Sequence, residues 1–292
     1  RRPLLPGGSL LEYTSSQSGQ LSVGFSYAHE KLDSPVYGEK SIPNYNRERT
    51  DNSNLTLVLN YGVTDQFSLS GFFPYRYVLN EKILFRGQYK NQYDGGKYYR
   101  ESTGLGDIIL QGRIKLNPIK DHFSLIFGLG LKLSNGNINS VDKYGERISD
   151  NLQVGTGTTD PIVSLFTSEL INPILLSGGV FVRISNGENI YGYQYGNELQ
   201  ALLNMDYLNH PSVYGGLQLN YLKTTRDHYE YGKVARDRGG ESLFFAAKIG
   251  TRISTLLDTE IVAQFPLKQN LNESQLISPF LLQLGFLIKI PS

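Results

Sequence analysis

The chain of 292 residues has no cysteine, no tryptophan and a single methionine. Without cysteine there is no disulfide framework, no thiolate metal site and no cysteine nucleophile; an oxidising envelope compartment is compatible with that absence but not demonstrated by it. An excess of either charge sign is missing too. Lys and Arg number 28 against 27 Asp and Glu, a formal net charge of +1, which argues against a nucleic-acid partner. No apolar run is long enough for a spanning helix, which needs roughly 18 residues, and the most apolar stretch, residues 277–290, is broken by Gln283 and Lys289. Arg1-Arg2-Pro3 is not followed by an apolar segment, so an exported form of this chain is expected to be the mature one.

What the chain does have is alternation. From Leu55 to Tyr61 the odd residues Leu55, Leu57, Leu59 and Tyr61 are apolar and Thr56 and Asn60 are polar. After Gly62-Val63-Thr64-Asp65 a second arm sets Phe67, Leu69, Phe73, Tyr75 and Tyr77 against Ser68, Ser70 and Arg76. A period of two with one apolar face is the mark of a strand, and Gly and Asp between two such arms mark a tight turn. The pattern recurs near residues 20–30, 107–116, 123–133, 160–169, 176–184, 199–207, 213–221, 243–252, 261–268 and 280–290. In residues 123–133 it is cleanest, with Phe123, Leu125, Phe127, Leu129, Leu131 and Leu133 on one face and Ser124, Gly128, Gly130 and Lys132 on the other.

Each strand is close to the roughly 9–11 residues of a tilted transmembrane strand. The connections alternate as well: long polar ones near 32–53, 80–105, 134–158, 186–196, 224–240 and 269–277, short ones near 62–66, 117–121, 170–173, 209–212 and 254–258. A chain that crosses a membrane back and forth puts all long loops at one end and all short turns at the other. The expected fold is therefore all-β: a transmembrane antiparallel up-and-down β-barrel of about 12 strands, 14 being the other count considered, with short periplasmic turns and long extracellular loops. Residues 1–18, with Pro3, Pro6, Gly7 and Gly8, read as an irregular lead-in that inserts in the lumen or hangs free; residues 19–292 read as one barrel domain. Tyr27, Tyr75, Tyr77 and Tyr221 at long-loop ends and Tyr61 and Tyr207 at short-turn ends suit two interfacial girdles.

Tyr61-Gly62-Val63-Thr64-Asp65-Gln66-Phe67-Ser68-Leu69, then Gly104-Leu105-Gly106-Asp107, then Gly155-Thr156-Gly157-Thr158-Thr159-Asp160, are similar in order and spacing to the outer-membrane transporter family associated with the meta-pathway of phenol degradation. The match covers about residues 54–168. The resemblance implies a barrel in the bacterial outer membrane that passes small, including hydrophobic, molecules, and implies no particular substrate.

No cofactor or metal site is expected. The four histidines, His29, His122, His210 and His228, lie apart, and Asn135, Asn137, Asn139 and Asp142 lack the bidentate Glu of a calcium loop. Gly155-Thr156-Gly157 opens no helix and is not a phosphate cradle. Inward parity points instead to lumen-lining and selectivity residues: Arg76, Arg113, Lys132, Arg183, Glu198, Lys248, Arg252 and Glu260, with Lys115, Lys268, Lys289, Glu30 and Asp206 beside them. Arg183 and Glu198 are placed to pair, and Arg113 and Lys248 to form the constriction. A continuous polar inner stripe with a basic surplus predicts a channel for small solutes with mild anion preference. The expected surroundings are the lipid bilayer and lipopolysaccharide. Two other readings stay open: a scaffold that binds a protein partner through its long Tyr-rich loops, and a barrel hydrolase using the Asp227-His228 pair. On this reading Leu129→Arg, facing lipid, is damaging and Gly128→Ser, facing the lumen, is tolerated.

Overall fold

The computed structural model describes residues 17–83, 96–116 and 123–290. Its wall is built from β1 (Leu21–Leu32), β2 (Arg49–Gly62), β3 (Phe67–Ile83), β4 (Lys97–Leu105), β5 (Ile109–Leu116), β6 (Phe123–Lys132), β7 (Asp160–Ile171), β8 (Ile174–Arg183), β9 (Glu198–Tyr207), β10 (Val213–Thr224), β11 (Gly240–Arg252), β12 (Leu257–Ile277) and β13 (Leu281–Ile290). Every pairing along this order is antiparallel, and β13 returns to β1 with Leu21 opposite Ile290. Both β4 and β5 pair with β3, through Tyr75–Leu105 and Phe72–Ile109, so they are two halves of one stave broken at residues 106–108. The result is a closed antiparallel barrel of 12 staves. Closure leaves no backbone edge facing hydrocarbon around the wall, the condition for a sheet to cross a bilayer.

The alternation read from the sequence sorts the two faces. On β2, Leu55 and Tyr61 are exposed and Thr56, Val58 and Asn60 are buried; on β6, Leu129 is 55% exposed. An apolar surface this extensive would be a severe liability in water and is the expected one in lipid. At the first short turn the Thr64 hydroxyl accepts from the Phe67 amide at 3.0 Å, and the Val63 amide donates to the Phe67 carbonyl at 2.9 Å. The Thr-Asp turn thereby closes its own hairpin.

Several expected boundaries move. β3 continues to Ile83 and β4 begins at Lys97, so much of the long connection placed at 80–105 is strand, and β12 runs through residues 269–277, which were expected to be a loop. Strand 34–38 extends the sheet there, pairing Ser34 with Ile277 and Gly38 with Leu271. Residues 1–16, most of the expected lead-in, and the short turn at 117–121 lie outside the described residues. A bulge in β12 pairs Leu243 with Lys268 and Phe244 with Pro266. The extra residue flips the parity, so Lys268, expected inside, is exposed and pairs with Glu39 at 3.1 Å.

The interior is not the continuous polar stripe expected. Val58, Phe72, Ile109, Ile162, Phe181 and Leu287 form one buried apolar cluster on inward positions. Glycines make room for the large inward side chains. A Cβ on Gly128 would collide with the Ser164 hydroxyl and sit in ordinary contact with Gln111 and Arg113; one on Gly216 would collide with Asp206 and Lys248. Gly128 therefore does not tolerate a side chain as expected. Leu129→Arg should cost about 2–4 kcal/mol and Gly128→Ser about 1–3 kcal/mol from overpacking. Urea titration of refolded protein, followed by heat-modifiable gel migration, measures both. A Gly128→Ser barrel as stable as the parent would contradict this close packing.

Candidate functional site

Near the long-loop end, five buried ionic side chains alternate in sign from stave to stave. Asp107 sits in the break between β4 and β5, Lys132 ends β6, Asp160 starts β7, Arg183 ends β8 and Glu198 starts β9. The register brings them together, since Lys132 lies directly opposite Asp160 and Arg183 directly opposite Glu198. Lys132 Nζ is 3.0 Å from Asp107 and 3.3 Å from Asp160; Arg183 is 2.7 Å from Asp160 and 3.9 Å from Glu198. Charges removed from water are stable only when opposite charges and further hydrogen bonds replace the lost hydration.

Two loops supply those bonds, which folds them into the barrel. In residues 134–158, the Gly136 and Thr156 amides donate to the Asp107 carboxylate at 3.0 and 2.9 Å, and Lys132 donates to the Thr156 hydroxyl and the Thr158 carbonyl. Gly136 and Gly155 pass so close that neither could carry a Cβ. In residues 184–197, the Asn186 amide donates to Asp160 at 3.2 Å and the Gly196 carbonyl accepts from Arg183 at 2.5 Å. More contacts fasten the first loop: Arg76 donates to the Val154 carbonyl at 3.1 Å and Tyr98 to the Asp142 carboxylate at 2.7 Å. Burial raises the Asp142 pKa, but the bonds from Tyr98 and the Tyr144 and Glu146 amides, with the Arg100 charge, outweigh it and hold the carboxyl below its ordinary value. The Asn137 and Asp142 side chains accept from the Asn139, Tyr144 and Glu146 amides, so they shape turns.

Of the residues proposed for selectivity, Lys132, Arg183 and Glu198 belong to this ladder, and the Arg183–Glu198 neighbourhood is the one read from the sequence. Arg76 lies beside it, half-buried, and lines the cavity. The others sit toward the short turns. Arg113, buried, donates to Gln111 and lies over the Phe72 and Phe166 rings at 5.5 and 5.7 Å. Lys248 pairs with Asp206 at 2.9 Å across the Gly216 stave. Glu260 is buried against Gly285. The side chain of Arg252 is 58% exposed at the rim and faces Asp258, which also holds Lys289 at 2.8 Å. Arg113 and Lys248, expected at the constriction, do not line the cavity. Asp107 and Asp160 were not among the expected site residues, although each closes one of the glycine-rich motifs. Asp227 accepts from Tyr193 and from the Gly196 amide, while the His228 backbone pairs with Gln194; the adjacent pair is divided between two structural tasks.

A cavity of about 550 Å³ fills the outer half of the lumen, between β1–β3, residues 149–156 and β9–β13. Toward the short turns, the apolar cluster begins one inward position below the cavity-lining Pro74 on β3, and two inward positions below Asn54 on β2 and Gln283 on β13. A solute entering from the long-loop side thus meets folded-in loops, then the cavity, then an apolar layer.

No family model matches the chain, and no curated protein matches it. Among solved structures it is similar to an outer membrane channel from Pseudomonas putida F1, with a TM-score of 0.71 and 15% identity over 99% of this chain and 100% of that one. The chain has an outer-membrane barrel fold. Weaker similarity reaches the KdgM porin, with a TM-score of 0.46 and 10% identity over 92% of this chain and 99% of that one. A monoaromatic hydrocarbon channel, CymD, gives 0.45 and 8% over 97% and 91%.

Removing Lys132, the cation between Asp107 and Asp160, leaves those two carboxylates facing each other. Lys132→Met should cost about 3–5 kcal/mol and release residues 134–158, read as protease cleavage in that segment of folded protein. Asp142 adds a pH dependence. A carboxyl held below its ordinary value stabilises the docked loop above the unfolded pKa, about 3.9, and this is lost as pH falls through the folded value. The protection of residues 138–153 from hydrogen exchange, relative to the intrinsic rate at each pH, should therefore fall on acidification below about pH 4, and Asp142→Asn should remove much of that pH-dependent step.

Proposed function

We propose that this chain is a channel of the Gram-negative outer membrane that passes small solutes by diffusion through its lumen. The observation that carries this reading is the cavity of about 550 Å³ inside a closed barrel, reached past loops bound in place by hydrogen bonds and ion pairs rather than by covalent links. The similarity of the whole fold to an outer membrane channel supports it, as does the resemblance of the three glycine-containing motifs to the meta-pathway transporter family. Long-loop ends face outward from the cell in this reading, with lipopolysaccharide around them and short turns in the periplasm.

The charge that reaches the cavity argues against the anion preference expected from counting inward bases. Lys132, Arg183 and Lys248 each face a carboxylate. Of the ionic groups lining the cavity, Asp107 is paired with Lys132 and Asp150 with Arg147, which leaves Glu30, Glu48, Asp227 and Asp237 against Arg76, Arg100 and Arg238. An acidic surplus in a narrow space with low-dielectric walls concentrates cations. Single channels in planar bilayers under a KCl gradient should show a reversal potential of weak cation preference. Glu30→Gln should weaken it, and about 1 M salt should nearly abolish it by screening. Anion preference in the unmodified protein would refute this assignment of the cavity charges, and absence of any conductance would refute the channel.

A further inference from the structure

The deepest part of the cavity is lined by carboxamides. Asn54 on β2, Gln200 on β9, Asn220 on β10, Gln264 on β12 and Gln283 on β13 line it from five staves. The next inward positions toward the short turns on four of those staves, Thr56, Gln218, Val262 and Gly285, do not line it, so these four amides form a floor, while on β9 Leu202 lines it below Gln200. Asn220 donates to Gln264 at 2.6 Å and accepts from Gln218, Gln200 donates to Glu198 at 2.6 Å, and Asn54 donates to Thr56 at 3.1 Å. Asn54 Oδ1 and Gln283 Nε2 have no hydrogen-bond partner among the described residues, and Gln283 is 2% exposed. Buried amide atoms are nearly always satisfied. Here an acceptor and a donor on staves separated only by β1 both lack a partner.

A carboxamide offers donors and acceptors together and carries no charge. An ion reaching this floor would exchange its hydration for groups that do not neutralise it. A hydroxyl also donates and accepts, so a solute with several of them can meet the floor at each contact. Pro74, Phe244 and Pro266 line the cavity from neighbouring staves and offer ring faces for the C–H side of such a solute. The volume of about 550 Å³ lies within the roughly 300–1,000 Å³ of small-molecule sites. We infer that the cavity is a binding site for an uncharged, hydroxyl-rich solute of monosaccharide to disaccharide size. This deepens the channel reading and rests on it only for how the solute arrives.

Two measurements separate the claims. Protein refolded in a detergent without a sugar headgroup is titrated calorimetrically with glucose and maltose, with gluconate as the charged analogue and butylbenzene as the apolar one. In parallel, the same saccharides are added to single channels in planar bilayers. Saturable saccharide binding is expected, at least about tenfold tighter than gluconate, a difference of about 1.4 kcal/mol, with matching block of the current. Asn54→Leu combined with Gln283→Leu should weaken it by about tenfold or more. The near-isosteric Gln264→Glu, which preserves shape and introduces charge, should do the same in a barrel that still shows heat-modifiable migration. No saccharide binding by the folded protein, or tighter binding of gluconate or butylbenzene, would overturn the inference. Conductance without saccharide binding would overturn the site and spare the channel; saccharide binding without conductance would do the reverse.

Discussion

The alternating ladder Asp107–Lys132–Asp160–Arg183–Glu198 is the constraint on which the outer half of the barrel depends. Each of these groups has left water, at an effective penalty of several kcal/mol per ion, and strand register alone cannot compensate them. Lys132 has two carboxylates beside it and still needs oxygen from Thr156 and Thr158; Asp107 needs amides from Gly136 and Thr156. The loops are pulled inward because their backbone and the Thr156 hydroxyl supply the hydrogen bonds these charges have lost from water. The break between β4 and β5 belongs to the same arrangement, since Asp107 leaves the ladder of backbone hydrogen bonds to reach Lys132 and the loop together.

Below the ladder the chemistry changes in layers: amides at the base of the cavity, then the cluster of Val58, Phe72, Ile109, Ile162, Phe181 and Leu287, then ion pairs such as Lys248–Asp206. Glycine sets the lateral spacing. Asp206 and Lys248 belong to staves separated by β10, and they meet because Gly216 between them has no side chain. The same device places Arg113 next to the Ser164 stave over Gly128. Inward glycine in this wall is therefore a sign of a bulky neighbour on either side rather than of flexibility.

The barrel was legible because a membrane imposes a simple rule on a strand, and every outward position of Leu55–Tyr61 and Phe123–Leu131 is apolar, while the inward positions are polar or glycine except for Val58 and Ile126. The strand ends were not, because beyond the bilayer both faces meet polar surroundings and the alternation of β3 past Leu79, of β4 and of β12 past Leu267 loses its apolar member. The bulge that turns Lys268 outward adds one residue among polar neighbours and leaves no compositional trace. Inward bases could be named from parity, but their neutralisation depends on which loop residues return to them. The signal that could have found Asp107 and Asp160 was in view: each acid ends a glycine-rich motif, where the chain can pass close to another backbone and a carboxylate can collect its amides. The apolar cluster was hidden for another reason, since Val58 and Phe72 each adjoin apolar outward residues and read as part of them.

The seam between β1 and β13 has a consequence for assembly. Leu21 pairs with Ile290, so the hydrogen bonds that seal the wall join segments separated by almost the whole described chain. Contacts of such sequence separation carry the largest loop-closure entropy and form late. Until they do, β1 and β13 each keep an open edge, and an open edge in hydrocarbon leaves amides unsatisfied. Entry into the bilayer and closure of the ring must therefore proceed together, with the hairpins forming first and the seam acting as the final, cooperative step.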